Sequence, residues 1–442
     1  MKQSVASDYN KKMKPTFTAK ETTIKTLGKA KLESPLEKLS GIEPNRRILF
    51  HPYIIDNKVN TEISFQVCRH EKKIYFDPKK VKAAIVTCGG LCPGLNNVIR
   101  AIVLSLHYGY GVRSIFGIRY GFQGFIPKYK YEMVELNPKK VTEIHEMGGT
   151  ILGSSRGEQP IEEIVDDLER QNMNMLFIIG GDGSLNAAAK IEAEISKRKL
   201  KIAVVGIPKT IDNDISYISH SFGFETAVDE ATKSIQCAHS EAESYPNGIG
   251  LVKLMGRNSG FIAATAARAQ RVVNFVLIPE VDFDLEGPNG FFKHLEDRLR
   301  SRSHAVIVVA EGAGQRYFEG RNEQTDLSGN IKLRDIGVYL KERIVNHFKA
   351  KEFPINLKYI DPSYMIRSVP ANTSDGLFCA NLGQNAVHAA MAGKTRTVVS
   401  IWHGVYCLIP IDLAIQRRKT INPKGLDWIG VIESTGQVSF KN

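Results

Sequence analysis

Met175-Leu176-Phe177-Ile178-Ile179-Gly180-Gly181-Asp182-Gly183-Ser184 is a run of large apolar residues that stops at a glycine-rich turn. The apolar half has the length and bulk of a strand buried on both faces. Leu185-Asn186-Ala187-Ala188-Ala189, directly after it, reads as the first turn of a helix. A glycine-rich turn between strand and helix is where α/β proteins hold phosphate. The glycines let the backbone come close, and the helix N-terminus presents free N–H groups with partial positive charge. Asp182 inside such a turn implies a cation, because a carboxylate beside phosphates is repulsive without one. Mg²⁺, held by a carboxylate plus substrate phosphates, is the natural candidate. A tight turn with a helix-capping Asp also accounts for the pentapeptide, so the rest of the chain has to decide.

The same alternation extends on either side. Before the quoted stretch lie a strand over residues 83–87, a loop over 88–94, a helix over 95–106, a strand over 112–118, a helical stretch over 142–147 and an acidic helix over 161–172. After it comes a buried strand over 202–207. A second series follows, with helices over 224–240, 259–269 and 291–302 and strands over 249–254, 273–278 and 305–310. A polar loop over 320–328, helices over 334–349 and 380–392 and a β-like run over 397–401 complete it. Strands alternating with helices predict parallel sheets with ligands at the strand C-termini. The fold class is α/β, with two doubly wound, Rossmann-like domains, a cleft between them and an N-terminal extension.

Composition narrows the function. With 442 residues, 43% hydrophobic and 24% charged, the chain is an ordinary globular one with room for two or three cores. No apolar run reaches the length of a membrane span, so no membrane association is expected. No signal peptide is read, and the Lys-rich start has no Arg before Arg46, unlike a transit peptide. Of the net charge of +12, residues 1–80 contribute +8, from 17 Lys/Arg and 9 Asp/Glu. The basicity therefore belongs to an arm rather than to a folded face, which speaks against nucleic acid. Residues 1–45 read as a flexible or wrap-around arm, and residues 48–76 as a small strand-containing lead-in. Six scattered cysteines are too few for a disulfide scaffold and suit a reducing cytoplasm. Cys88 and Cys92 read as small buried side chains of a loop.

Four loops share one chemical logic. The first is Gly89-Gly90-Leu91-Cys92-Pro93-Gly94, and the second is Gly153-Ser154-Ser155-Arg156-Gly157, an Arg among small residues suited to an anion. The opening pentapeptide is the third. The fourth is Pro208-Lys209-Thr210-Ile211-Asp212-Asn213-Asp214, directly after a buried strand. Two carboxylates at i and i+2 beside a Lys and a Thr allow one group to take a proton from a hydroxyl while the Lys offsets phosphate charge. An Asx-rich turn is the alternative.

Five stretches together resemble the 6-phosphofructokinase family: residues 87–96, 180–184 and 208–214, Met255-Gly256-Arg257, and Pro362-Ser363-Tyr364-Met365-Ile366-Arg367. The similarity runs from about residue 81 to about residue 414. Gly-Gly-Asp-Gly alone also occurs in lipid and NAD kinases, but the other stretches do not fit those. The resemblance implies a phosphotransferase of glycolysis acting on fructose 6-phosphate, with Mg-ATP as donor. It assigns Asp212 as the proton acceptor for the sugar 1-hydroxyl, flanked by Thr210, Ile211 and Asp214, and Asp182 as the Mg²⁺ carboxylate. Gly90, Arg156, Gly157, Gly181, Asp182, Gly183 and Ser184 fall on its nucleotide-phosphate loops. Met255, Gly256 and Arg257 form a sugar loop, with Arg257 also near the moving phosphoryl, and Glu311 holds sugar hydroxyls. Tyr364, Met365, Ile366 and Arg367 fall at the 6-phosphate, and Lys358 reaches that phosphate from a neighbouring subunit. The domains implied are a nucleotide-binding one over 81–223, completed by 366–414, and a sugar-phosphate one over 224–365, with a C-terminal segment over 415–442. A cytoplasmic homo-oligomer, a tetramer, with regulation by nucleotides is also implied.

Departures from the family pattern refine this expectation. Leu91 replaces an Asp, Gly248 stands where the short-chain enzymes have a second cross-subunit Arg, and Lys209 and Tyr364 are typical of the long branch that includes pyrophosphate-dependent enzymes. Gly183 is typical of ATP users. The combination resembles the atypical ATP-dependent group of that branch. A pyrophosphate-dependent phosphotransferase is the alternative. A non-catalytic regulatory subunit is disfavoured because Asp212, Asp182 and Arg257 are all present.

Overall fold

The structure, a computed structural model, describes residues 17–39, 45–55, 57–318, 325 and 331–442. Its strands are β1 (Arg47–Leu49), β2 (Ser64–Val67), β3 (Lys82–Thr87), β4 (Ser114–Ile118), β5 (Val134–Glu135), β6 (Met175–Gly180) and β7 (Ala203–Pro208). They continue as β8 (Gly248–Leu254), β9 (Phe275–Leu277), β10 (His304–Ala310), β11 (Asn356–Ile360), β12 (Thr397–Trp402) and β13 (Val405–Pro410). A nine-stranded sheet has the order β5-β4-β3-β6-β7-β12-β13-β2-β1, and a four-stranded sheet the order β9-β10-β8-β11. The first sheet is parallel from β4 to β12 and antiparallel at both margins. The second is parallel throughout.

The helices are α1 (Leu95–Leu104), α2 (Ile161–Arg170), α3 (Asp182–Lys197), α4 (Phe224–Glu243), α5 (Phe261–Gln270) and α6 (Phe291–Arg302). They are followed by α7 (Ile336–Ala350), α8 (Met365–Ser368), α9 (Thr373–Met391), α10 (Ile411–Ala414) and α11 (Leu426–Thr435). Strand residues alternate between two cores, as the period of two requires. Ala83, Ile85, Phe177 and Ile179 enter one core, and Ala84, Val86, Leu176 and Ile178 the other. The first core also takes Val252, Leu254, Val306 and Val308 from the second sheet, so one continuous apolar mass joins the two sheets. The far face of the second sheet has its own core around Leu251, Ile307, Phe291 and Phe348.

Several expectations shift. Residues 142–147 contain only a short 3₁₀ turn, Ile144–Glu146. Helix α9 begins seven residues before the expected 380, capped by Asn372, whose side chain accepts from the Asp375 N–H at 2.9 Å. Asp375 is itself buried and accepts from Gly223 N, Thr226 N and Thr226 Oγ1. Strands β11 and β13 and helix α11 carry no periodicity strong enough to be expected. Residues 17–39 wrap the first sheet: the Phe17 ring is buried against Phe50 and Tyr217, and Lys25–Thr26 pair with Lys394–Thr395. The rest of the expected arm, residues 1–16 and 40–44, lies outside the described residues, as does the polar loop over 320–328 apart from Thr325. Among the described residues no helix is long and apolar enough to cross a membrane.

Candidate active site

Parallel register sets the loops side by side. Thr87, the last residue of β3, is level with Ile179, and Gly180, the last of β6, is level with Pro208, the last of β7. The loops carrying Gly90, Asp182 and Lys209–Asp214 therefore leave the sheet at one edge. In the second sheet Leu254 is level with Ala310, so Met255-Gly256-Arg257 and Glu311 emerge together. The Glu311 N–H donates to the Leu254 carbonyl at 2.9 Å. The two sets meet where Ser259 Oγ donates to the Asp212 carbonyl at 3.1 Å.

The loop after β7 is held by its own polar groups. The Asp212 N–H donates to Thr210 Oγ1 at 3.1 Å, and Thr210 Oγ1 donates to Asp214 Oδ1 at 3.1 Å. Asn213 takes a left-handed conformation, with φ 52°. Ile211 beside it is buried and anchors the loop. This is the Asx-rich turn of the alternative, yet it leaves one oxygen of the Asp212 carboxylate unused: Oδ1 is buried without a hydrogen-bond partner. Burial, then the neighbouring Asp214 and Glu311 charges, push the Asp212 carboxyl up to about 8. Burial also raises Asp214, opposed by Arg418 and the Thr210 hydrogen bond, and raises Glu311, opposed by Lys253 and Arg257.

Facing these acids is a group of cations around Gly90. Lys209 is buried and donates to the Gly90 carbonyl at 2.7 Å. The guanidinium tips of Arg156 and Arg367 lie 3.5 and 3.6 Å from where a Cβ on residue 90 would stand. A Cβ there would stand in ordinary van der Waals contact with both guanidinium tips, so glycine keeps the space between three positive groups open. Burial lowers the affinity of Lys209 for its proton, and Arg156 and Arg367 lower it further. Arg367 Nε is buried without a partner, and its guanidinium lies 4.9 Å from the Tyr364 ring centroid. A buried Lys209 beside the tips of a half-buried Arg367 and an exposed Arg156 gathers positive charge of the kind that suits an anion.

Asp182 opens α3 after Gly181, whose carbonyl accepts from the Ser184 N–H at 3.0 Å. Its carboxylate is about one-third exposed, and a Cβ on Gly183 would meet nothing within 4 Å. A hard oxygen donor at a helix N-terminus beside open space fits Mg²⁺ held largely by phosphate oxygens and water. Gly157 closes the second loop in the left-handed region, with φ 96°.

Not every expected residue is gathered in. Arg257 is turned toward the Ile331 carbonyl, to which Nη2 donates. Tyr364 and Met365 are 74% and 70% exposed, while Ile366 is buried and anchors α8. Lys358 pairs with Gly250, four residues before the end of β8, and its Nζ sits 5.1 Å from the Tyr245 ring centroid. Within one chain it stands away from the loops at the strand ends. Two residues that sequence reasoning missed do reach the site. Arg418 Nη2 lies 3.3 Å from Asp182 Oδ2, and Lys419 Nζ donates to Asn213 Oδ1 at 2.9 Å and to the Ile218 carbonyl at 3.0 Å. The only available signal was the run Arg417-Arg418-Lys419 outside any periodic element.

The phosphofructokinase family profile matches residues 82–390. An ATP-dependent 6-phosphofructokinase of Borreliella burgdorferi is 52% identical over 435 residues, covering 95% of this chain and 97% of that one. An ATP-dependent 6-phosphofructokinase of Amycolatopsis methanolica is 48% identical over 380 residues, covering 85% and 83%. Among solved structures, a pyrophosphate-dependent phosphofructokinase from Marinobacter aquaeolei superimposes with a TM-score of 0.66 at 18% identity, covering 81% of this chain and 92% of that one. At that identity the likeness speaks to the fold.

Proposed function

The chain belongs to the phosphofructokinase family, and from that premise we propose that its site transfers the terminal phosphoryl of Mg-ATP to the 1-hydroxyl of fructose 6-phosphate. The observation that carries this reading is the buried, unpartnered Asp212 Oδ1 near the Gly90 cradle bounded by Lys209 and Arg156. An in-line phosphoryl transfer needs a proton acceptor on the alcohol and positive charge on the moving group, and little else.

Asp212, ionised, takes the proton of the 1-hydroxyl as the oxygen attacks phosphorus. Its burial makes it a stronger base than a solvated carboxylate, suited to a sugar hydroxyl near neutral pH. Lys209 and Arg156 hold the donor phosphates over Gly90, where the backbone can approach closely. Asp182 would hold the Mg²⁺, which when bound neutralises phosphate charge. Glu311, Met255, Gly256 and Arg257 orient the sugar, and Arg367 with Tyr364 takes its 6-phosphate. Lys358 serves the 6-phosphate of a neighbouring copy in a homo-oligomer, for which its place level with Gly250, four residues short of the end of β8, is the support. The phosphoryl passes directly between substrates, with no covalent enzyme intermediate.

A coupled assay of the purified protein tests this reading, with fructose 6-phosphate and either Mg-ATP or Mg-pyrophosphate. Turnover with ATP and little or none with pyrophosphate is expected. Equal turnover with both donors would favour the pyrophosphate-dependent alternative.

A further inference from the structure

The opposite edge of the second sheet carries a second cluster of ligand-type side chains. Helix α4 lies unusually close to β8 there. A Cβ on Gly248 would overlap the carbonyl of Ala242, and one on Gly250 would come within 2.5 Å of the carbonyl oxygen of Ala238. Two glycines thus let helix backbone rest on strand backbone. The contact also explains why no Arg stands at position 248, since there is no room for a side chain. It further brings the last turn of α4 over the first residue of β10, because His304 is the register partner of Gly248.

His239 and Glu243 stand at i and i+4 on α4 and so face the same way. His239 Nε2 is 3.4 Å from Glu243 Oε2, and His304 Nε2 is 4.0 Å from Glu243 Oε1. The two imidazole centroids are 5.6 Å apart, and one donor atom from each of the three residues lies within 4.8 Å of the others. His304 Nδ1 is 3.1 Å from the Arg302 carbonyl, to which its N–H donates in the neutral tautomer. That bond leaves the Nε2 lone pair aimed at the cluster, as the outer hydrogen bond of a metal-bound histidine does.

We propose that His239, Glu243 and His304 bind a Zn²⁺ ion. Two imidazoles and one carboxylate are a zinc donor set, and the nitrogen ligands select against Mg²⁺ and Ca²⁺. In a tetrahedral site with bonds of about 2.0–2.1 Å, neighbouring donors stand about 3.3 Å apart. The cluster reaches that by small side-chain rotations. Glu243 is 54% exposed, so it turns freely and water completes the fourth position. The ion ties the end of α4 to the start of β10. Strand β8 is seven residues long, which puts about 20 Å between this edge and the strand end at Leu254. The role is therefore a structural staple, independent of phosphoryl transfer.

The test is calorimetric titration of the full-length, chelator-stripped protein with Zn²⁺, without nucleotide, together with its unfolding temperature. One equivalent of zinc should bind with sub-micromolar affinity and raise the unfolding temperature. His239→Ala and His304→Ala should each weaken binding by ~100-fold and lose the thermal shift. Asp182→Asn should leave both readouts unchanged. Equal unfolding temperatures of wild type and variants without zinc establish that the variants fold. The proposal is overturned if the wild type binds no zinc, if either histidine variant binds zinc as tightly as the wild type, or if Asp182→Asn abolishes binding.

Discussion

As the proposed base, Asp212 would concentrate a conflict between stability and catalysis in one carboxylate. Its pKa of about 8 means that the folded enzyme resists ionising it. A group with a raised folded pKa contributes stability below its unfolded value, near 3.9 for Asp, and that contribution is lost as pH rises through the folded value. Asp212→Asn should therefore raise the unfolding temperature at pH 8 or above while lowering turnover by roughly two to four powers of ten. Loss of both activity and stability would mean that Asp212 holds the loop rather than the proton. In the wild type, kcat/KM should fall as pH drops below about 8, because the protonated acid cannot accept the sugar proton. A flat profile down to pH 5 would contradict this. Gly183 is the residue proposed to decide the donor, and a side chain there has open space. An Asp there does not disturb the fold, but it sets a carboxylate against the α-phosphate that ATP has and pyrophosphate lacks. Like charges about 4 Å apart near a protein surface repel by about 4 kcal/mol at an effective dielectric of 20. Gly183→Asp should abolish ATP use with an unchanged unfolding temperature. Retained ATP turnover would show that the α-phosphate passes elsewhere.

At the scale of elements, the strap from residue 415 to α11 connects the two halves of the site. It pairs Ile215 with Arg418, and its Lys419 N–H donates to the Asp214 carbonyl at 2.7 Å. The Ile421 N–H then donates to Glu280 Oε1, which also accepts from the Gly260 N–H at the start of α5. Trp428 and Val431 of α11 bury themselves in the core shared by both sheets. Lys419 has its pKa lowered to about 8, chiefly by burial, so it is a costly group held by its three acceptors. Arg418 opposes the upward shifts of both Asp212 and Asp214. Arg418→Ala should therefore move the acid limb of kcat/KM to higher pH, and Arg418→Lys should restore part of the shift. A fall in kcat with an unmoved pH profile would leave Arg418 with a purely structural role.

At the scale of the whole molecule, one prediction separates a site completed within a chain from one completed between chains. Lys358→Ala should weaken fructose 6-phosphate binding by ~10–100-fold, the worth of a charged hydrogen bond, while leaving ATP binding nearly intact. Co-refolding Lys358→Ala subunits with Asp212→Asn subunits should then recover activity. A hybrid can join an intact base from one chain with an intact Lys358 from the other. No recovery in demonstrably mixed oligomers would place the role of Lys358 within its own chain.

Local signals in the sequence sufficed for the alternating α/β pattern, the parallel strands of the two sheets and the loops at their ends, but not for the antiparallel margins of the larger sheet. Buried parallel strands such as residues 175–180 must be uniformly apolar, and close backbone approach to a ligand demands glycine, so both leave a mark in one short stretch. The placement of Asp212, Asp182 and Lys209 at the strand ends was legible for the same reason: each sits in a polar motif directly after such a strand. Arg418, Lys419 and the pairing of His239 and Glu243 with His304 were not legible. Their meaning comes from partners between 61 and 236 positions away, brought close by the register of β8 with β10 and by the return of the chain through β13. The perturbed acidity of Asp212 belongs to this second kind as well. Burial and the charges of Asp214 and Glu311 create it, and burial is a property of the assembled core that no short stretch of sequence carries.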